Sequence, residues 1–200
     1  MPNFLDLVQS QLGGGVIDQL SKQIGGDPQQ TSTAANSVVA TLLGALSKNA
    51  STTDGASALA GALDRDHDGS ILNDITGFLG GGGAAQQTPT ANGAGILQHL
   101  LGDKLGGITQ MISQNSGLNA SQSGSLLTSL APLLMGMLGQ QKQQNGLDAG
   151  GVASLLTGAA DQQAAQNPIM GLVSQFLDKD HDGSILDDLA GMGMNMFFKK

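Results

Sequence analysis

The sequence predicts an all-α protein of two related helical lobes, each ending in an EF-hand-like acidic loop. Three observations carry this reading. Apolar residues recur at helical spacing, as in Val38, Val39, Leu42, Leu43 and Leu46, or in Leu126, Leu127, Leu130, Leu134 and Leu138. No alternating run rich in β-branched residues competes with them. Finally, segments of the first half return in the second half in the same order. Ile17-Asp18-Gln19-Leu20 is echoed by Ile108-Thr109-Gln110-Met111, and Leu42-Leu43-Gly44-Ala45-Leu46 by Leu134-Met135-Gly136-Met137-Leu138. The third and closest echo is between two acidic segments 114 residues apart, at 64–74 and 178–188. A duplicated unit accounts for all three, with the extra residues of the second copy falling mainly between Thr157 and Met170.

Taken along the chain, this gives roughly eight to ten short helices. Starts are expected at Thr31 or Ser32, Ser70, Ser121 and Ser184, whose hydroxyls suit N-caps. Stops are expected at Gly13, Gly25, Gly80, Gly106 and Gly139. Ile71, Leu72, Ile75, Phe78 and Leu79 form an apolar stripe directly after the first acidic segment. The first lobe spans 1–80, a flexible Gly/Gln/Thr linker 81–92, and the second lobe 93–200. Gln140 to Gly146 and Gln162 to Asn167 read as polar surface loops. Abundant Gly and Ala lower intrinsic helix propensity but allow close helix approach, so tertiary packing must hold the fold.

Composition excludes several functions. The 200 residues carry a net charge of −8 with 2% aromatic content, which argues against nucleic-acid binding. No apolar run reaches the ~18–20 residues of a membrane span. The first twenty residues lack the basic and apolar regions of a secretory signal, so a cytoplasmic location is expected. With no Cys, disulfides, thiolate chemistry and Cys-ligated metals are excluded.

The charge is concentrated. All sixteen acids are Asp, and the segments 64–74 and 178–188 carry net −3 and −4 of the total. Each reads Asp-x-Asp-x-Asp-Gly-Ser-Ile-Leu. Asp64, Asp66 and Asp68, like Asp178, Asp180 and Asp182, occupy positions 1, 3 and 5 of an EF-hand-type loop. Gly69 and Gly183 follow where the chain must turn, and Ser70 and Ser184 offer backbone carbonyls at position 7. Ca²⁺ needs 6–8 hard oxygens, and short Asp side chains at alternate positions can converge on one ion. Position 12 holds Ile75 or Leu189 in place of the bidentate Glu, so Asp74 and Asp188 at position 11 are the expected closing ligands. Two weak Ca²⁺ sites follow, with dissociation constants on the order of 10⁻⁴–10⁻³ M. Two alternatives stay open. One is Mg²⁺; the other is a metal-free turn, with Ser70 and Ser184 as caps and the following Asp residues favoured by the helix dipole.

The remaining candidates are weaker. His67 and His181 fill position 4, expected to point outward, where ligation would bring Zn²⁺ or Mn²⁺ into play; His99 reads as a half-buried helix residue. Gly80–Gly83 lacks the Lys and the preceding strand of a phosphate loop. The Met- and Phe-rich end, 189–200, reads as a last core helix, with a partner-binding or interfacial helix as the alternative. No nucleophile–base arrangement stands out, and adjacent loop carboxylates make a poor acid–base pair. The expected role is calcium binding in a structural or interaction setting, without catalysis. Its rival is a helical interaction module whose acidic turns are only caps.

Three stretches of the second half add a resemblance: Gly95-Ile96-Leu97-Gln98-His99-Leu100-Leu101-Gly102, Ser113-Gln114-Asn115-Ser116-Gly117-Leu118, and Leu127-Thr128-Ser129-Leu130-Ala131-Pro132-Leu133-Leu134-Met135-Gly136. Through them residues 93–161 resemble a bacterial family of uncharacterised helical proteins, the YidB-like domain of unknown function 937. Residues 3–63 resemble the same unit more weakly, without the Pro of the third stretch. The resemblance implies an all-α fold and a bacterial origin; members often carry stretches like 178–188, and no activity is implied.

Overall fold

The computed structural model describes residues 4–79 and 92–166, and over these the chain is helical with no strand. Residues 81–91 of the linker, the second acidic segment with Asp178, Asp180, Asp182, Ser184 and Asp188, and the C-terminal Met-rich stretch lie outside the described residues, while Asn92 caps the helix that follows. Nine α-helices follow in order among the described residues: α1 (Phe4–Gln11), α2 (Gly14–Ile24), α3 (Pro28–Ala50), α4 (Thr53–Asp66), α5 (Ile75–Leu79), α6 (Gly93–Leu101), α7 (Leu105–Ser116), α8 (Ala120–Asn145) and α9 (Ala149–Gln166). Short 3₁₀ turns, Ser70–Asp74 and Gly102–Lys104, precede α5 and α7.

Local chemistry explains the boundaries. α2 ends at Gly25 and α7 at Gly117, both left-handed, with φ of +65° and +80°. Side-chain oxygens then restart the chain. Asp27 Oδ1 accepts from the Gln29 and Gln30 amides at 2.8 and 3.2 Å, with Pro28 as first helical residue. Asn119 and Gln122 form a reciprocal capping box at the start of α8. These caps, two to five residues ahead of the expected Thr31 or Ser32 and Ser121, set the true starts. Gly106 and Gly139 lie inside α7 and α8 and stop neither. The polar tracts at 140–146 and 162–167 extend α8 to Asn145 and α9 to Gln166 rather than forming loops. Gln and Ala are good helix formers, so polarity there marks an exposed helical end.

The two long helices α3 and α8 pack against each other, and α3 also touches α2, α4, α6, α7 and α9. Both sequence-read apolar stripes are buried along them. The core is aliphatic and runs from Phe4 to Ala159, so the two lobes expected from the sequence share one core. Polar contacts also cross between the halves, among them two on α3, α7 and α8 and the end of α2. Gln122 Nε2 donates to the Gly25 carbonyl at 2.8 Å, and Asn115 Nδ2 to Ser37 Oγ at 3.2 Å.

Glycine is required where backbones meet. A Cβ on Gly139 of α8 would stand 1.7 Å from the His67 carbonyl oxygen, and one on Gly136 2.5 Å from the Ile71 side chain. The chain leaving α4 is thus seated on a Gly136-x-x-Gly139 face. Gly61, in α4, has nothing within 4 Å of its Cβ position. Gly139→Ala is therefore expected to cost about 1–3 kcal/mol or more through overpacking. Gly61→Ala should instead stabilise by roughly 1 kcal/mol through helix propensity. Thermal unfolding followed by far-ultraviolet circular dichroism checks the pair, with shifts of opposite sign.

Candidate functional site: the first acidic turn and its histidine

The first acidic segment divides between two structures. Asp64 and Asp66 belong to the last turn of α4, and only His67, Asp68 and Gly69 form the turn. Gly69, at φ +90°, makes the sharp bend, and its Cβ would meet the Gln140 Cβ at 2.9 Å. Both the left-handed conformation and the contact with α8 require Gly here. Asp68 Oδ1 accepts from the Ser70 amide at 2.9 Å, so Asp68 starts the 3₁₀ turn. Ser70, expected as the cap, is instead the first residue of the 3₁₀ turn, and Gly69 stands at the N-cap position. The apolar stripe after it was expected as one helix. It is the 3₁₀ turn followed by α5, with Phe78 and Leu79 buried and Ile71, Leu72 and Ile75 packed on the core.

The carboxylates are engaged separately. Lys142 Nζ donates to Asp64 Oδ1 at 2.5 Å, joining α4 to the end of α8. Asp66 stands 4.0 Å from Arg65, both partly exposed. Hydrogen bonds from the Ser70 hydroxyl and amide pull the Asp68 carboxyl below its ordinary pKa. Among the described residues no three His, Asp, Glu or Cys side chains are grouped to hold a metal ion. Asp64 and Asp66 are thus carried on α4, and Asp64 and Asp68 each have a hydrogen-bond partner of their own. The described side chains do not include that of Asp74.

His67 reverses its expected orientation. It is 5% exposed, and its Nδ1 is buried with no hydrogen-bond partner among the described residues. Its backbone is pinned against Gly139, and this turns the ring inward. Loss of solvent lowers the imidazole pKa below 6.5, against the opposing pull of Asp66 and Asp68. His99, expected half-buried, is exposed on α6. Both residues line a cavity of about 270 Å³ between α3, α4, α6 and α8, with Asn49, Asn92, Leu59 and Met135. The sequence alone held no signal for this cavity, since His67 and His99 meet only through helix packing. No described helix is long and apolar enough to cross a membrane.

The model of a bacterial protein family of unknown function, DUF937, matches residues 6–141 and 143–196, and the chain belongs to this family. The match covers both halves and both acidic segments. No curated protein matches the chain, and no solved structure does.

The buried imidazole couples folding to pH. With a folded pKa below the unfolded value, the unfolded chain binds the extra proton first. The contribution is complete above about pH 6.5 and is lost as pH falls toward the folded pKa. The melting temperature should therefore fall as pH drops from 7 to 5, as circular dichroism can follow. His67→Gln should flatten that dependence; an unchanged slope would mean that His67 contributes nothing to it.

Proposed function

We propose that this DUF937 member is a non-catalytic helical binding protein whose first acidic segment works as a structural clasp between α4 and α8. The observation that carries this reading is the separate use of the carboxylates. Asp64 pairs with Lys142, and Asp68 caps the turn that Gly136 and Gly139 receive. No cation is needed for either job, and binding is left to the helical surface and the cavities between helices. The three sequence echoes support a duplicated unit: the first falls on α2 and α7, the second on α3 and α8.

A second reading, Ca²⁺ at Asp64, Asp66, Asp68, Ser70 and Asp74 and at Asp178, Asp180, Asp182, Ser184 and Asp188, has its own support. The Asp-x-Asp-x-Asp-Gly-Ser pattern occurs twice. Asp64 and Asp66 also stand at the C-terminal end of α4, where the helix dipole disfavours negative charge and a cation would relieve it. In this reading Lys142 competes with the ion for Asp64.

One series separates the two. Under the clasp reading, millimolar Ca²⁺ leaves the melting temperature unchanged, calorimetry detects no binding, and Lys142→Ala costs up to about 1 kcal/mol. Under the calcium reading, Ca²⁺ at 100 times its dissociation constant adds about 2.7 kcal/mol per site. Lys142→Ala then tightens calcium binding, and Asp64→Ala with Asp178→Ala abolishes the effect. Calorimetric heat that survives in that double variant would belong to neither site.

A further inference from the structure

The two halves correspond in structure as well as in sequence. The left-handed glycines that end α2 and α7, Gly25 and Gly117, lie 92 residues apart. So do the caps of α3 and α8, Asp27 and Asn119. So do Thr31 and Ser123, two fully buried hydroxyls without a hydrogen-bond partner among the described residues. The same step carries α1 to α6, α2 to α7, α3 to α8 and α4 onto the first part of α9. Packing is reciprocal: α3 touches α6, α7 and α9 of the second half, and α8 touches α1, α2 and α4 of the first. The turns repeat this. Gln122 Nε2 donates to the Gly25 carbonyl, and Gln30 Nε2 stands against Gly117, 2.8 Å from where a Cβ would be. Such reciprocity is what an approximate twofold axis between the halves produces, each laying its helices on the long helix of the other.

We propose that the second acidic segment, residues 178–188, docks on α3 at Gly44 as the first acidic turn docks on α8 at Gly136. The proposal rests on the clasp reading of the first turn. The 92-residue step carries Gly136, against which Ile71 lies, back to Gly44, half-buried on α3. The occupant has matching residues in the same order: Asp178, His181, Gly183 and Ile185 stand where Asp64, His67, Gly69 and Ile71 stand. It lies outside the described residues, and the length of chain before it allows it to arrive. Gly158 is the counterpart of Asp66, and α9 runs eight residues, about 12 Å, past it to Gln166. The twelve residues from there to Asp178 span up to about 40 Å when extended, more than the return requires. Charge favours the same place. The segment carries net −4, and Lys48 lies four residues after Gly44, on the same face of α3. One position departs from the match. Ser47 stands where α8 has Gly139, so the second turn sits shallower there, held off by the Ser47 side chain.

Double-mutant cycles on the full chain, read as melting temperature by circular dichroism, test the docking. Gly44→Ala is expected to lower the melting temperature by about 2–4 °C, because the new methyl meets Ile185. In an Ile185→Ala background the same change should raise it, since the gain in helix propensity is then all that is left. Gly136→Ala with Ile71→Ala is the parallel cycle for the first turn and should show the same reversal of sign. The Gly44 cycle decides the proposal: a Gly44→Ala shift that is the same with and without Ile185 overturns it. The Gly136 cycle decides the clasp reading on which it rests. Hydrogen exchange adds a measurement that does not require Ile185→Ala to fold. The amides of residues 184–188 should be protected in the parent and exchange at least about tenfold faster in Gly44→Ala, while those of α3 stay protected. Exchange at the rate of an unfolded chain in the parent, or protection that Gly44→Ala leaves intact, overturns the proposal as well.

Discussion

The seating of the first acidic turn on α8 depends on backbone meeting backbone without a side chain between. Gly139 lets the His67 carbonyl lie directly on the helix, and Gly136 leaves the room that Ile71 fills. Several other features follow from this contact. It brings the end of α4 beside Lys142, so that Asp64 gains a cationic partner. It forces the His67 ring away from solvent. It also sets the direction in which the 3₁₀ turn and α5 carry Phe78 and Leu79 into the core. Leucine zones elsewhere tolerate adjustment, as aliphatic cores usually do. A carbonyl against a glycine does not, because no rotamer can move a Cβ out of the way.

Charge is handled in the same local manner. Three carboxylates within five residues would repel one another if they faced one point. Two of them are instead carried on a helix, and the third is turned toward an amide. The arrangement leaves acids at the negative end of α4, a tension that Lys142 relieves for Asp64 alone through a direct contact. The calcium reading proposed above would draw on these same groups.

Much of the fold was legible in the residues. The 3.6-residue spacing of Val38 to Leu46 and of Leu126 to Leu138 marks the buried faces of the two long helices, and both are buried as read. Helical spacing survives in any packing, because one apolar stripe can be covered from many directions. Gly25 too acts where the local pattern places it, since a left-handed residue ends a helix whatever surrounds it. Gly106 and Gly139 were misleading for the converse reason: a glycine inside a helix serves packing as readily as termination. Asp27 and Asn119 went unrecognised as caps because Ser and Thr nearby offered the same chemistry.

The residues by themselves determine an all-helical chain, a charge gathered into two matching segments, and an aliphatic core, because composition and short-range spacing are local properties. Tertiary structure alone decided how the first of them is engaged. Asp64 is paired with a residue 78 positions away, and His67 shares its cavity with His99 and Met135. No local pattern encodes such meetings. They depend on how close α8 lets its neighbours come, and that closeness was set by the absence of side chains at Gly136 and Gly139.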